Sequence, residues 1–217
     1  MKYCIAYIDE DKGWINTFYQ TFKNNFKILR IEVNEESTIE SILSHISLNN
    51  LDAIVTDYLL EENADVPFNG NKIVEELKKH RPHFPIIMLT SFPTQAIGHT
   101  DDVHIIYSKD ILTIENESDQ EELEIFKKKI QSNISNYYKK IEETNARIEF
   151  LVDKKNTIGL DIPDEEELTK LYIKFDELNP EGKDLPANFV YRDSVTQLRN
   201  FVKEAREILN EVKKMKK

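Results

Sequence analysis

The sequence predicts an α/β fold, a doubly wound parallel sheet followed by an all-α helical bundle or coiled-coil segment, on three observations. From Lys2 to Asp110, short β-rich apolar runs alternate with amphipathic stretches. Acidic, hydroxyl and basic side chains stand directly after those runs, where an open α/β sheet places its chemistry. From Asp119 onward the apolar period becomes helical.

Five strands follow from the runs Lys2 to Ile8, Phe26 to Val33, Leu51 to Thr56, Pro85 to Leu89 and Val103 to Tyr107. Lys12 to Asn24, Ser37 to Ser47 and Asn71 to His80 carry helical spacing between them. A short fourth helix opens at Pro93, where proline suits a first helical turn. In the second half, Leu123, Ile130, Tyr137, Thr144 and Leu151 recur on a seven-residue spacing, interleaved with Ile134, Ile141 and Ile148. That is the pattern of a coiled-coil seam, and β-branched residues at one of its positions suit a parallel homodimer. Two further stripes, Leu168 to Leu178 and Val195 to Val212, are separated by breaks at Gly159 to Pro163 and Pro180 to Pro186. Three such helices equally form an intramolecular bundle. The division expected is therefore residues 1 to 118 and residues 119 to 217.

Composition narrows the function. The chain has 217 residues, a net charge of −11 and one cysteine. A single cysteine excludes a disulfide framework and a multi-cysteine zinc site, and fits a reducing compartment; Cys4 is expected to be buried in the first strand. No run approaches the roughly 18 apolar residues of a membrane span, so a cytoplasmic protein is expected. The net charge argues against a nucleic-acid-binding surface covering the whole protein, and most of it falls in the first 118 residues. Lys213, Lys214, Lys216 and Lys217 suit contact with nucleic acid or acidic lipid, but the favourable interaction of cations with a helix C-terminus is the preferred reading. His45, His80, His83, His99 and His104 show no metal-ligand spacing, and the chain has no phosphate-binding glycine loop or nucleophile elbow.

Asp9, Glu10 and Asp11 follow the first strand, and Asp57 ends the third. With those strands adjacent, the carboxylates converge and repel one another unless a cation neutralises them. Mg²⁺ suits such a site, because it takes one or two protein carboxylates, keeps waters and admits a phosphate oxygen. Asp57 is then placed to act as a nucleophile toward phosphorus. Thr90 closes the fourth strand with a hydroxyl, and Lys109 follows the fifth with a cation for a phosphoryl oxygen. Each residue alone reads as a solvated strand end; their conjunction at four strand ends does not.

This order of residues resembles the receiver domain of two-component response regulators over residues 1 to 118. The resemblance implies a five-stranded flavodoxin-like sheet and Asp57 as phosphoacceptor. It also implies Mg²⁺ held by Asp9, Glu10, Asp57 and the backbone carbonyl of Leu59, with Thr90 and Lys109 contacting the phosphoryl group. The partner implied is a histidine kinase or phosphotransfer protein, and enzymatic turnover beyond slow self-dephosphorylation is not expected.

Three positions depart from the family pattern. Asp110 follows the lysine where receivers usually carry proline, which puts the presentation of Lys109 in question. Ile106, not an aromatic residue, stands three before the lysine; Tyr107 beside it faces the other side of a regular strand. The loop Tyr58 to Asn69 is about five residues longer than usual and carries Glu61, Glu62 and Asp65, which reads as a solvated insertion. The function expected is a phosphorelay response regulator with a helical protein-interaction output, through a homodimer or an unknown protein partner. The alternatives are a phosphorylation-independent pseudo-receiver scaffold and, more weakly, a DNA-binding transcriptional regulator.

Overall fold

The computed structural model describes residues 2 to 178. The stripe Val195 to Val212, the break Pro180 to Pro186 and the terminal lysines lie outside the described residues. The described residues divide into two compact units, one ending at Tyr138 and the other beginning at Lys139.

In the first unit five parallel strands, β1 (Cys4–Asp9), β2 (Lys27–Glu32), β3 (Ala53–Thr56), β4 (Ile86–Thr90) and β5 (Ile106–Ser108), form one sheet in the order β2-β1-β3-β4-β5. This is the flavodoxin-like order, with β1 and β3 adjacent where the winding reverses. The central strand β3 is buried along its whole length, which is why it reads as an unbroken apolar run rather than an alternation.

The helices are α1 (Lys12–Phe22), α2 (Ile39–Leu48), α3 (Glu61–Ala64), α4 (Gly70–His80), α5 (Pro93–Ile97) and α6 (Glu117–Thr157). Asp11 caps α1 by accepting from the Gly13 and Trp14 amides, and Thr38 and Ser41 form a capping box on α2. Ile5 and Tyr7 of β1, Ala53 and Val55 of β3, and Ile87 and Leu89 of β4 share one core with Phe18 and Phe22 of α1 and Leu123, Phe126, Ile130 and Ile134 of α6. Alternate residues on each strand serve this face, as the two-residue period of a strand requires. At the opposite end of β3 from Asp57, the Tyr138 hydroxyl of α6 donates to Asp52, whose other carboxylate oxygen accepts from the Cys4 amide at 2.6 Å.

Three expectations need revision. Val103 to Ile105 forms a turn of 3₁₀ helix rather than the start of the fifth strand, because the Asp102 carboxylate caps it by accepting from the His104 amide at 3.2 Å. Cys4 is half-buried rather than buried. The long loop is solvated only in part: Glu61, Glu62 and Asp65 are exposed, while Leu59, Leu60, Ala64, Val66 and Phe68 are buried.

The second unit contains the end of α6 and α7 (Ile162–Leu178). Gly159, at φ 83°, ends α6 by donating to the Lys154 carbonyl at 3.1 Å, and Asp161 caps α7 by accepting from the Asp164 amide at 3.0 Å. Arg147 pairs with Glu167, and Lys154 with Asp164. Partners that descend along α7 as they rise along α6 define an antiparallel helical hairpin. Leu123, Ile130, Tyr137, Thr144 and Leu151, with Ile134, Ile141 and Ile148, are all buried within one chain. The seam that suggests a coiled coil is therefore already covered without a second copy.

The sequence division after residue 118 separates four core side chains from their core. Burying one large apolar side chain contributes roughly 1.5–3 kcal/mol, so losing Leu123, Phe126, Ile130 and Ile134 consumes most of a stability of about 5–15 kcal/mol. A chain ending at Tyr138 is expected to unfold cooperatively in urea, followed by circular dichroism. One ending at Ser118 is expected to show no folded baseline.

Candidate functional site

The carboxyl ends of the strands bring together the side chains that the sequence singles out. Ile8 pairs with Thr56 across β1 and β3, so the residues next in register, Asp9 and Asp57, meet at the sheet edge. Asp9, Glu10 and Asp57 each offer a carboxylate oxygen within 4.8 Å of the others. Lys109 follows β5 and must reach past β4, a span its four-carbon stem suits. Its ammonium lies 2.7 Å from Asp57 Oδ2 and 2.8 Å from Asp9 Oδ2, with the lysine 2% exposed. Thr90 is fully buried at the end of β4, where its hydroxyl accepts from the Phe92 amide at 3.2 Å. Leu59, assigned only through its backbone carbonyl, has its side chain buried in the loop leaving β3.

The remaining oxygens are held by backbone. Asp57 Oδ1 accepts from the Tyr58 amide at 2.6 Å, and Asp9 Oδ1 accepts from the Asp11 amide at 3.0 Å. Gly70 is required by the approach of α4 to the same strand end, since a Cβ there would lie 1.8 Å from the Asp57 carbonyl oxygen. Asn69 fastens the intervening loop by accepting from the Leu60 and Glu61 amides at 2.9 and 3.0 Å. The insertion is thus tied down beside Asp57 at both of its ends.

Charge balance describes what the cluster lacks. Burial, and then the Asp9 charge, push the Asp57 carboxyl above its ordinary value, against the opposing pull of Lys109 and a hydrogen bond from Thr90. Burial also disfavours the Lys109 charge, but Asp57 and Asp9 outweigh it and hold the ammonium above its usual range. Burial acts first on both groups, and beyond it a single ammonium is shared between two buried carboxylates. Hard carboxylate oxygens converging with negative charge in excess fit a small divalent cation such as Mg²⁺.

Two departures from the expected pattern resolve differently. Without a proline after it, Lys109 is still delivered into the cluster, because Ser108 takes over the turn. Its side chain accepts from the Asp110 amide at 3.2 Å and donates to the Asp110 carboxylate at 2.8 Å. Tyr107, by contrast, does not take the place of an aromatic residue at Ile106. Its ring packs on Phe126 at 5.0 Å with the Lys129 ammonium over it, so it is committed to the α6 side of an unbulged strand.

Two residues of the site were not legible as functional. Tyr7, fully buried on β1, donates its hydroxyl to Asp9 Oδ2, and burial followed by the Asp9 charge raises its pKa far above the usual phenol range. Trp14 places its ring 5.3 Å from the Lys109 ammonium. The available signal for Tyr7 was its position two residues before Asp9 on one strand face.

No known family model matches the chain, and no curated protein matches it. Solved structures do show a likeness. The signal receiver domain of an HD domain-containing protein from Pseudomonas fluorescens Pf-5 is 15% identical, with 62% of this chain and 91% of that chain covered at a TM-score of 0.47. A response regulator receiver domain protein from Clostridium thermocellum is 18% identical, covering 62% and 95% at a TM-score of 0.43. The BeF3-activated DrrB receiver domain is also 18% identical, covering 62% and 99% at 0.42.

Removing Lys109 leaves the carboxylates facing one another without their counter-charge. In the absence of divalent ions, Lys109→Met is expected to destabilise the fold by about 3 kcal/mol at neutral pH. Because the folded-state pKa of Asp57 is raised, its stability contribution is greatest below the ordinary value near 3.8 and is lost as pH rises through the folded value. The penalty for losing Lys109 should therefore shrink as acid protonates Asp57, which urea unfolding across pH would read. An equal penalty at all pH would refute the charge account.

Proposed function

We propose that the chain is a phosphorelay response regulator in which Asp57 accepts a phosphoryl group from a histidine kinase or phosphotransfer protein. The observation that carries this reading is the Lys109 ammonium bridging Asp57 and Asp9 at the carboxyl edge of the sheet. A structural lysine needs no such pair of buried carboxylates, whereas a phosphoryl acceptor needs a cation beside the nucleophilic oxygen.

In this reading an Asp57 carboxylate oxygen forms the new bond to phosphorus as the bond from phosphorus to the donor imidazole nitrogen breaks, and the imidazole leaves with the electron pair. The Tyr58 amide and Lys109 orient the Asp57 carboxylate, and Lys109 and Thr90 are placed to meet the phosphoryl oxygens. Asp9, Glu10, Asp57 and the Leu59 carbonyl would hold Mg²⁺, which when bound offsets negative charge on the transferring group. The protein then serves as a switch rather than as an enzyme with turnover.

The second unit is the output element in this proposal. Its buried seam is spent within one chain, but Phe150, Ile158, Ile162 and Ile173 are exposed apolar residues for contact with a second copy or another protein. The departure at Ile106 favours a second reading, a pseudo-receiver that works as a scaffold without phosphorylation.

With Mg²⁺ and a small phosphodonor such as acetyl phosphate or phosphoramidate, the native chain is expected to incorporate base-labile phosphate. Asp57→Asn is expected to incorporate none. Labelled phosphate retained on the intact protein distinguishes the two, and a folded native chain that takes up none from any donor would favour the scaffold.

A further inference from the structure

We propose that Tyr7 is a positioning residue of this site, holding the Asp9 carboxylate in the orientation in which a divalent cation can use it. The inference rests on the phosphoacceptor reading and extends it to a residue outside the set of strand-end groups.

Tyr7 and Asp9 are two apart on β1 and project to the same face of the sheet. The Tyr7 ring is fully buried and lies flat against Phe18, with centroids 4.1 Å apart and planes 3° from parallel. That stack fixes the direction of the hydroxyl, which donates to Asp9 Oδ2. The same oxygen lies 2.8 Å from the Lys109 ammonium, and Oδ1 takes the Asp11 amide at 3.0 Å. Asp9 is therefore gripped from three directions, by its own strand, by the following turn and by the end of β5. Of the three, only the Tyr7 grip comes from a ring clamped in the core.

An apolar core position does not ask for a hydroxyl, and a buried phenol costs stability unless its proton finds an acceptor. Here the acceptor is one of the three carboxylates that converge at the site. Without the phenol, Oδ2 relies on Lys109 alone, and the carboxylate is freer to turn as it is repelled by Asp57 and Glu10. Partners that orient a metal-binding side chain commonly account for 10–100-fold in metal affinity, and about tenfold is expected for this hydroxyl.

The test uses the full chain and measures the gain in unfolding free energy with increasing MgCl₂ against NaCl at matched ionic strength, which yields a dissociation constant for Mg²⁺ without requiring activity. Tyr7→Phe keeps the ring and its stack while removing only the hydroxyl. It is expected to fold and to bind Mg²⁺ about tenfold more weakly. Phe22→Leu, which loosens the same aromatic cluster without touching the Tyr7 hydroxyl, is expected to lower stability while keeping the native Mg²⁺ affinity. Equal or tighter Mg²⁺ binding by Tyr7→Phe overturns the role of the hydroxyl. So does an equal loss in Phe22→Leu, which would assign the effect to core packing. A native chain with no saturable Mg²⁺ response would overturn the metal-binding part of the functional reading, and the Tyr7 inference with it.

Discussion

The buried ammonium of Lys109 is the contact on which the site depends. It joins the end of β5 to the ends of β3 and β1 at 2.7 and 2.8 Å. An ion cluster removed from water is costly unless its charges are paired and its lone pairs satisfied. The surrounding structure meets that demand through the Tyr58 and Asp11 amides and the Tyr7 hydroxyl. The sheet order is what makes the meeting possible. With β1 beside β3, two carboxylates from distant parts of the chain become neighbours in register, and one long side chain from the edge strand can serve both.

The same arithmetic of charge connects stability to chemistry. One lysine faces two buried carboxylates, and the Asp57 carboxyl is raised first by burial and then by the Asp9 charge, against the pull of Lys109. The geometry sets an Asp57 carboxylate oxygen beside an ammonium, within a group of three converging carboxylates. The cluster lies at one edge of a large apolar core. That core includes the Tyr7, Phe18, Phe22 and Phe126 rings, and Gly70 lets α4 press against the Asp57 carbonyl where any side chain would collide.

Most of the sheet was legible because burial on both faces leaves unbroken apolar runs, and Asp9, Glu10, Asp57, Thr90 and Lys109 were legible because each stands just past such a run. What was not legible has particular causes. Val103 to Ile105 has strand composition, but the Asp102 cap draws it into a helical turn. Tyr7 looked like any aromatic strand residue, since its hydroxyl acquires meaning only when Asp9 is seen to be buried beside it. The heptad spacing of α6 is real, yet periodicity reports that a face is covered without reporting what covers it. Leu123, Phe126, Ile130 and Ile134 spend that face on the sheet of the first unit.

The departures at Asp110 and Ile106 show that delivering the Lys109 ammonium to the cluster and coupling it to the rest of the fold are separable. Delivering Lys109 needs only a turn of the right shape, and the Ser108 hydroxyl with the Asp110 amide and carboxylate supplies one from local hydrogen bonds. Coupling through an aromatic ring needs that ring on a particular face of β5, and the two-residue period of a strand allows no local substitute. Tyr107 is instead packed on Phe126 and covered by Lys129, both on α6. Leu89 of β4, the residue immediately before Thr90, pairs with Tyr107 in register. Any rearrangement at the end of β4 would therefore meet α6 through Leu89 and Tyr107, on the face of the sheet where that helix completes the core.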